Sequence, residues 1–185
     1  MKKIYVIALF GKSGAGKDTI LDRLAITGLY NKIKMTTTRP KRDYEVNGVH
    51  YNFIDTASFA EKILNGDFVE ATSFNDWFYG TDIKELKEDA INIGMFNIHG
   101  IECMLEDPRL EVFPIYIKAT DKTRLLRNLN REKNPNCFEI CRRYLADEQD
   151  FDDIPFEYFS FHNEKDGDHI NRIHEFIKYI QTNND

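Results

Sequence analysis

No segment of this 185-residue chain is an apolar run long enough to cross a bilayer. The chain also lacks an excess of positive charge: 25 lysines and arginines face 31 aspartates and glutamates, for a net charge of -6. That balance excludes a general attraction to nucleic acid or to an anionic membrane. An anionic ligand then has to be held by local arginines and backbone dipoles. Cysteine is scarce, and Cys103, Cys137 and Cys141 form no C-x-x-C pair. Their odd number, with no secretory leader in view, favours a reducing cytoplasmic setting over a disulfide framework. Internal repeats, low-complexity tracts and linkers are missing too, so the chain reads as one globular domain, 1–185, with 42% hydrophobic and 13% aromatic residues. The polar tail Gln181–Asp185 is expected to fray.

What is present begins with a phosphate-cradling loop. Gly11, Lys12, Ser13, Gly14, Ala15, Gly16 and Lys17 give the G-x-x-x-x-G-K spacing, followed by Asp18 and Thr19. The loop follows the apolar run 3–10, expected as a buried parallel strand, and precedes a helix start at 19–24. In that context the glycines let backbone N–H groups close around phosphates, a helix N-terminus adds partial positive charge, and Lys17 reaches the terminal phosphates. The residue after Lys17 normally supplies a metal-touching hydroxyl. Here it is Asp18, with the hydroxyl one step later in Thr19. Asp18 either binds the metal through water or simply favours the helix N-terminus.

Apolar runs and helix-like segments alternate along the chain, which predicts an α/β fold around a parallel sheet flanked by helices. Further strands are expected at 91–96, 112–117 and 158–162, and helices at 121–129, 138–151 and 168–180. The last carries Ile170, Ile173, Ile177 and Ile180 as a core-facing stripe. Residues 36–86 interrupt the alternation, with β-like pieces at 49–54 and 68–74 around a helix at 58–64. They read as an inserted subdomain. A second, polar insertion at 130–138 reads as a lid. The core is thereby 1–35, 87–129 and 139–185.

Arg39 and Arg42 lie three apart beside Thr36, Thr37 and Thr38, with Tyr51 further on. This cluster suits a phosphorylated small molecule. Two phosphate sites so close in sequence point to transfer between them.

The loop 11–17, the segment Thr37-Thr38-Arg39-Pro40…Arg42…Glu45…Gly48…Tyr51…Phe53, the run Asp67-Phe68-Val69-Glu70 and the run Phe78-Tyr79-Gly80-Thr81 occur in that order. Together they resemble the guanylate kinase family. The resemblance implies a P-loop core, a monophosphate-binding subdomain and an arginine-bearing lid. It also implies transfer of the γ-phosphoryl group of ATP to GMP or dGMP with Mg2+, in purine nucleotide metabolism. Glu70 matches the family's guanine-reading carboxylate, whose two oxygens suit the N1 and 2-amino donors, and Thr81 matches the hydroxyl at O6. Adenine would leave that carboxylate unpaired, a mismatch that can discriminate by ~10⁴-fold. By the same resemblance Arg39, Arg42, Tyr51 and Tyr79 hold the acceptor phosphate, and Thr36 lies beside them. Arg127, Arg131 and Arg142 or Arg143 neutralise the transferring group, and Asn163 sits on the adenine side.

Three positions depart from the family pattern. Met35 stands where a base-touching Ser is common, Asn97 stands for an Asp that organises magnesium, and the lid reads Arg131-Glu132-Lys133-Asn134. Asp18 could compensate for the charge lost at Asn97. Other readings stay open: a kinase for a different (deoxy)nucleoside monophosphate or a ribose bisphosphate, and a non-catalytic module binding phosphopeptides. Monomer and homodimer, and GMP and dGMP, are likewise not separated.

Overall fold

The computed structural model describes residues 3–74, 76–131, 133–164 and 169–184. Of the sequence expectations, Glu132 in the lid, Asp168 at the last helix and Asp185 in the tail lie outside the described residues. The chain divides into two compact units, Met1–Ala8 with Leu29–Phe113 and Leu9–Gly28 with Pro114–Asp185. A five-stranded sheet has the order β2-β7-β1-β8-β9, built from β1 (Ile4–Phe10), β2 (Tyr30–Lys32), β7 (Ile91–Met95), β8 (Leu110–Lys118) and β9 (Phe159–His162). β1 is a seven-residue apolar run with both faces covered, as a central parallel strand requires.

In the first unit β2 pairs parallel with β7, Tyr30 opposite Ile91 and Asn31 opposite Asn92. Asn92 is fully buried and satisfied: its amide nitrogen donates to the carbonyls of Tyr5, Lys87 and Ala90, and its oxygen accepts from Asn31 and from the Lys87 amide. Helix α3 (Ile98–Glu106) is capped by Asn97, whose side chain accepts from the Gly100 amide, and buries Ile101 and Met104.

The same unit holds a second, four-stranded sheet of order β4-β3-β6-β5, from β3 (Thr36–Thr37), β4 (Asn52–Phe53), β5 (Phe68–Phe74) and β6 (Trp77–Asp82). Helix α2 (Thr56–Leu64), capped by Asp55, buries Phe59 against the rings of Phe68 and Phe78. β5 and β6 are antiparallel, and the register shifts between Phe68, opposite Asp82, and Glu70, opposite Thr81. One extra residue on β5 is a bulge, a device that re-aims side chains. Without it Glu70 would face Gly80.

In the second unit α1 (Lys17–Ile26) starts directly after the glycine-rich loop and buries Ile20, Leu21 and Leu24. β8 pairs parallel with β9, Ile115 opposite Phe159. Helices α4 (Asp121–Asn130), α5 (Cys137–Asp150) and α6 (His169–Asn184) complete the unit, α4 and α5 being capped by Thr120 and Asn136. Ile173, Ile177 and Ile180 of α6 are buried as their spacing predicts. The rings of Phe10, Tyr116, Phe151, Phe156 and Tyr158 form one aromatic cluster.

The expected helices and core strands are present to within a few residues at most of their ends. The expected strand at 49–54 is the exception. Only Asn52–Phe53 pairs there, with a bridge between Asn47 and Tyr51, because the segment turns back on itself through hydrogen bonds from the Val49 and His50 amides to the Val46 carbonyl. No helix among the described residues is long and apolar enough to cross a membrane.

Candidate active site

Two constellations emerge, one in each unit. The first is built on the four-stranded sheet. Glu70 is 4% exposed and accepts a 2.7 Å hydrogen bond from the Thr81 hydroxyl, itself fully buried. Desolvation raises the Glu70 carboxyl to about 7, only partly offset by the Thr81 hydrogen bonds. Its second oxygen lies against α3: a Cβ on Gly100 would come within 3.0 Å of Glu70 Oε2 and 3.0 Å of Asn97 Oδ1. Glycine at that point of the helix is what lets the carboxylate and the helix start approach.

Along the same sheet Thr36 pairs with Gly80 and Thr37 with Tyr79. The Thr37 hydroxyl donates to the Phe78 carbonyl and accepts from the Arg39 amide. Arg39 is 8% exposed, its guanidinium lying 5.4 Å from the Tyr51 ring centre and 5.5 Å from that of Phe53. It is gripped in a bidentate pair by buried Glu45, at 2.7 and 3.0 Å. The same carboxylate accepts from the Arg42 amide at 2.8 Å, and these partners, the Arg39 guanidinium foremost, hold it at about 2. The Tyr51 and Tyr79 rings meet edge to face at 6.3 Å. Arg42 is exposed and donates to the Tyr44 hydroxyl. Thr36, Arg39, Tyr51, Tyr79, Glu70 and Thr81 are thus gathered on or beside one small sheet, with Arg42 at its rim. Met35 contributes its carbonyl to the Asn52 amide.

The second constellation surrounds the loop. A cavity of about 690 Å³ is lined by Gly14, Gly16, Lys17, Asp18, Thr19, Arg127, Arg131 and Asn163, among others. Ile170, the first member of the α6 stripe, lines it too, so the stripe does more than pack. Gly16 caps α1 at φ 93°, a left-handed conformation that disfavours any side chain, and a Cβ there would collide with the Asn163 amide. Lys17 Nζ donates to the carbonyls of Gly11 at 2.5 Å and Lys12 at 3.2 Å. Burial lowers its pKa, against the neighbouring carboxylates of Asp18 and Asp147.

The next three carbonyls of the loop also have side-chain donors. Arg124 serves Ser13, Arg127 serves Gly14 and Ala15, and Asn163 serves Ala15 at 2.8 Å. Arg127 also donates to the Asn163 carbonyl. Arg131 is exposed after the last turn of α4 and shares a second, small cavity with Arg143, while Arg142 and Arg143 both pair with Glu139. Asp18 and Thr19 are exposed on the first turn of α1. A carboxylate and a hydroxyl beside a phosphate loop are hard oxygen donors and fit Mg2+. Among the described residues no three His, Cys, Asp or Glu side chains are grouped to hold a metal.

Sequence reasoning missed Glu45 as a functional group, although its place in the Arg39…Arg42…Glu45 spacing was the available signal. It also missed Arg124 and Asp147, which no local pattern marks. The Asn97 side chain serves as a helix cap.

A family model described as guanylate kinase matches residues 2–180. A guanylate kinase of Helicobacter hepaticus is 29% identical across 100% of this chain and 85% of its own length. One from Wigglesworthia glossinidia brevipalpis is 33% identical over 81% of this chain and 75% of its own. The crystal structure of guanylate kinase from Anaplasma phagocytophilum superposes with a TM-score of 0.73 over 98% of this chain and 88% of that one, at 17% identity, an agreement of fold.

Proposed function

The chain belongs to the guanylate kinase family, and on that premise we propose that it transfers the γ-phosphoryl group of ATP to GMP, dGMP or both, giving the diphosphate and ADP. The observation that carries the choice of acceptor is Glu70: a buried carboxylate, aimed by a bulge and hydrogen-bonded to Thr81. A carboxylate out of water needs donors, and guanine offers two on one edge beside an acceptor for a hydroxyl. Residues 36–86 act as the monophosphate-binding subdomain, 130–138 as the lid, and 1–35, 87–129 and 139–185 as the core.

Phosphoryl transfer asks for alignment and charge neutralisation rather than covalent help. Arg39, fixed by Glu45 against Tyr51, and Arg42 hold the acceptor phosphate, with Tyr51 and Tyr79 donating phenolic hydrogen bonds and Thr36 backing the sheet beneath. The loop Gly11, Ser13, Gly14, Ala15, Gly16 and Lys17 binds the ATP phosphates. Lys17 leaves the Gly11 and Lys12 carbonyls for the terminal phosphates, and Arg127, Arg131 and Arg143 counter the charge of the transferring group. Asn163 stands beside the adenine end. Thr19, with Asp18 directly or through water, would hold Mg2+, which would supply charge neutralisation for the ATP phosphates. The setting is cytoplasmic, without nucleic-acid or membrane partners.

Replacing GMP by inosine monophosphate removes only the 2-amino donor. The expected kcat/KM falls by about tenfold or more, the cost of one unpaired charged acceptor. Equal use of the two substrates would remove Glu70 from base recognition.

A further inference from the structure

Two consecutive carboxylates of α5 act on two consecutive residues of the phosphate loop. Glu148 pairs with Lys12 at 2.7 Å, and Asp147 accepts from the Ser13 amide at 2.7 Å. Asp147 Oδ2 also accepts from Arg124 Nη2 at 2.8 Å, while Arg124 Nε donates to the Ser13 carbonyl at 3.1 Å. Both backbone polar groups of Ser13, its N–H and its C=O, are therefore held by one ion pair. Arg124 is 2% exposed, lies 5.0 Å from the Tyr144 ring centre, and spends Nη1 on Asp121 and Glu148. A cation this buried relies on its carboxylates, and of Asp121, Asp147 and Glu148 it is Asp147 that also holds the Ser13 amide.

The same helix carries the lid-side cations. Glu139, Arg143 and Asp147 follow at four-residue spacing, so they share one face of a 14-residue helix, and Arg143 Nε donates to Glu139 at 2.6 Å. Arg143 and the loop clamp are one helical turn apart on a rigid element. A loop whose amides are held in place before phosphate arrives needs less ordering when it does.

We propose that Asp147 is a positioning residue through which the helix following the lid sets the conformation of the nucleotide-phosphate loop. The inference rests on the reading of that loop as the ATP site. Asp147 itself touches no reacting atom.

The test is calorimetric binding of ADP with Mg2+, and of GMP separately, to the wild-type protein, Asp147→Asn and Asp147→Ala. Both hydrogen bonds end on one oxygen, so Asn can keep them and lose only the charge. Charge-assisted bonds are roughly twice as strong as neutral ones. A graded loss of ADP affinity is expected, about threefold for Asn and about tenfold for Ala, with GMP affinity within about twofold of wild type. A general structural defect would weaken both ligands alike, and that outcome overturns the proposal. So does wild-type ADP affinity in Asp147→Asn, which decides the matter even if Asp147→Ala fails to fold. Wild-type protein that binds GMP and no ADP would sink the ATP-site reading itself, and the clamp with it.

Discussion

Acidifying the solution from pH 8 to pH 6 should weaken guanine binding about tenfold, because only the ionised Glu70 can accept guanine's two donors. Burial lifts this carboxyl from 4.5 to about 7. At pH 8 about nine-tenths of the molecules then hold it ionised, and at pH 6 about one-tenth. Apparent affinity scales with the binding-competent fraction, which gives the tenfold. A carboxyl at its ordinary value would change affinity by only ~3% over the same interval. The sign for stability runs the other way. A folded-state pKa above the unfolded value contributes stability that is fully present below 4.5 and lost as pH rises through about 7. The ligand-free protein thus gains on acidification from this group, by about 3 kcal/mol as pH falls from about 7 to 4.5, at about 1.4 kcal/mol per pH unit. The assay is calorimetric titration with GMP and with guanosine at both pH values. Guanosine matters because a phosphate titrates near ~6 on its own. If guanosine binds equally well at pH 6 and pH 8, the buried-carboxylate account of base recognition is wrong.

Other outcomes follow from the same geometry. Arg42→Ala should raise KM for GMP by about 10- to 150-fold, the worth of a charge-assisted bond of about 1.5–3 kcal/mol. Its exposure at the rim means that urea denaturation should place stability within about 0.5 kcal/mol of wild type. Gly100→Ala opposes two effects. Alanine favours the helix by about 1 kcal/mol, yet its Cβ presses on Glu70 Oε2 at 3.0 Å, so GMP affinity should fall severalfold while thermal stability does not; unchanged GMP binding would mean that the carboxylate can retreat. Lys17→Met should lower turnover by ~10²–10³-fold, as expected for a lost transition-state donor. Titration should find its GMP affinity unaltered, since Lys17 belongs to a different unit from Glu70 and Thr81, the residues proposed to read guanine.

Where hydrophobic period and local chemistry agreed, the chain could be read directly. The apolar run of β1, the loop with its glycine spacing and the isoleucine stripe of α6 each carry enough local signal to fix an element. β2 and β3 do not: three polar-to-aromatic residues and two threonines become strands only because β7 and β6 offer partners. The extent of α3 was not legible, because Gly100, a poor helix former, stands in its first turn where Glu70 needs room. Within the candidate site, Glu70 and Thr81 were legible as a pair, but the bulge that makes them face each other is a property of the register. Glu45 stood in plain view beside its arginines. Arg124 and Asp147 did not, because their partner Ser13 lies more than a hundred residues away in sequence.

The measurement that tests the central claim most directly is ADP production from ATP and Mg2+, with GMP, dGMP, AMP, dTMP, CMP and UMP offered in parallel. Turnover confined to GMP and dGMP is the expected result. Turnover on AMP or a pyrimidine monophosphate with none on guanine would contradict the role given to Glu70 and Thr81, and silence on all six would contradict the kinase assignment itself.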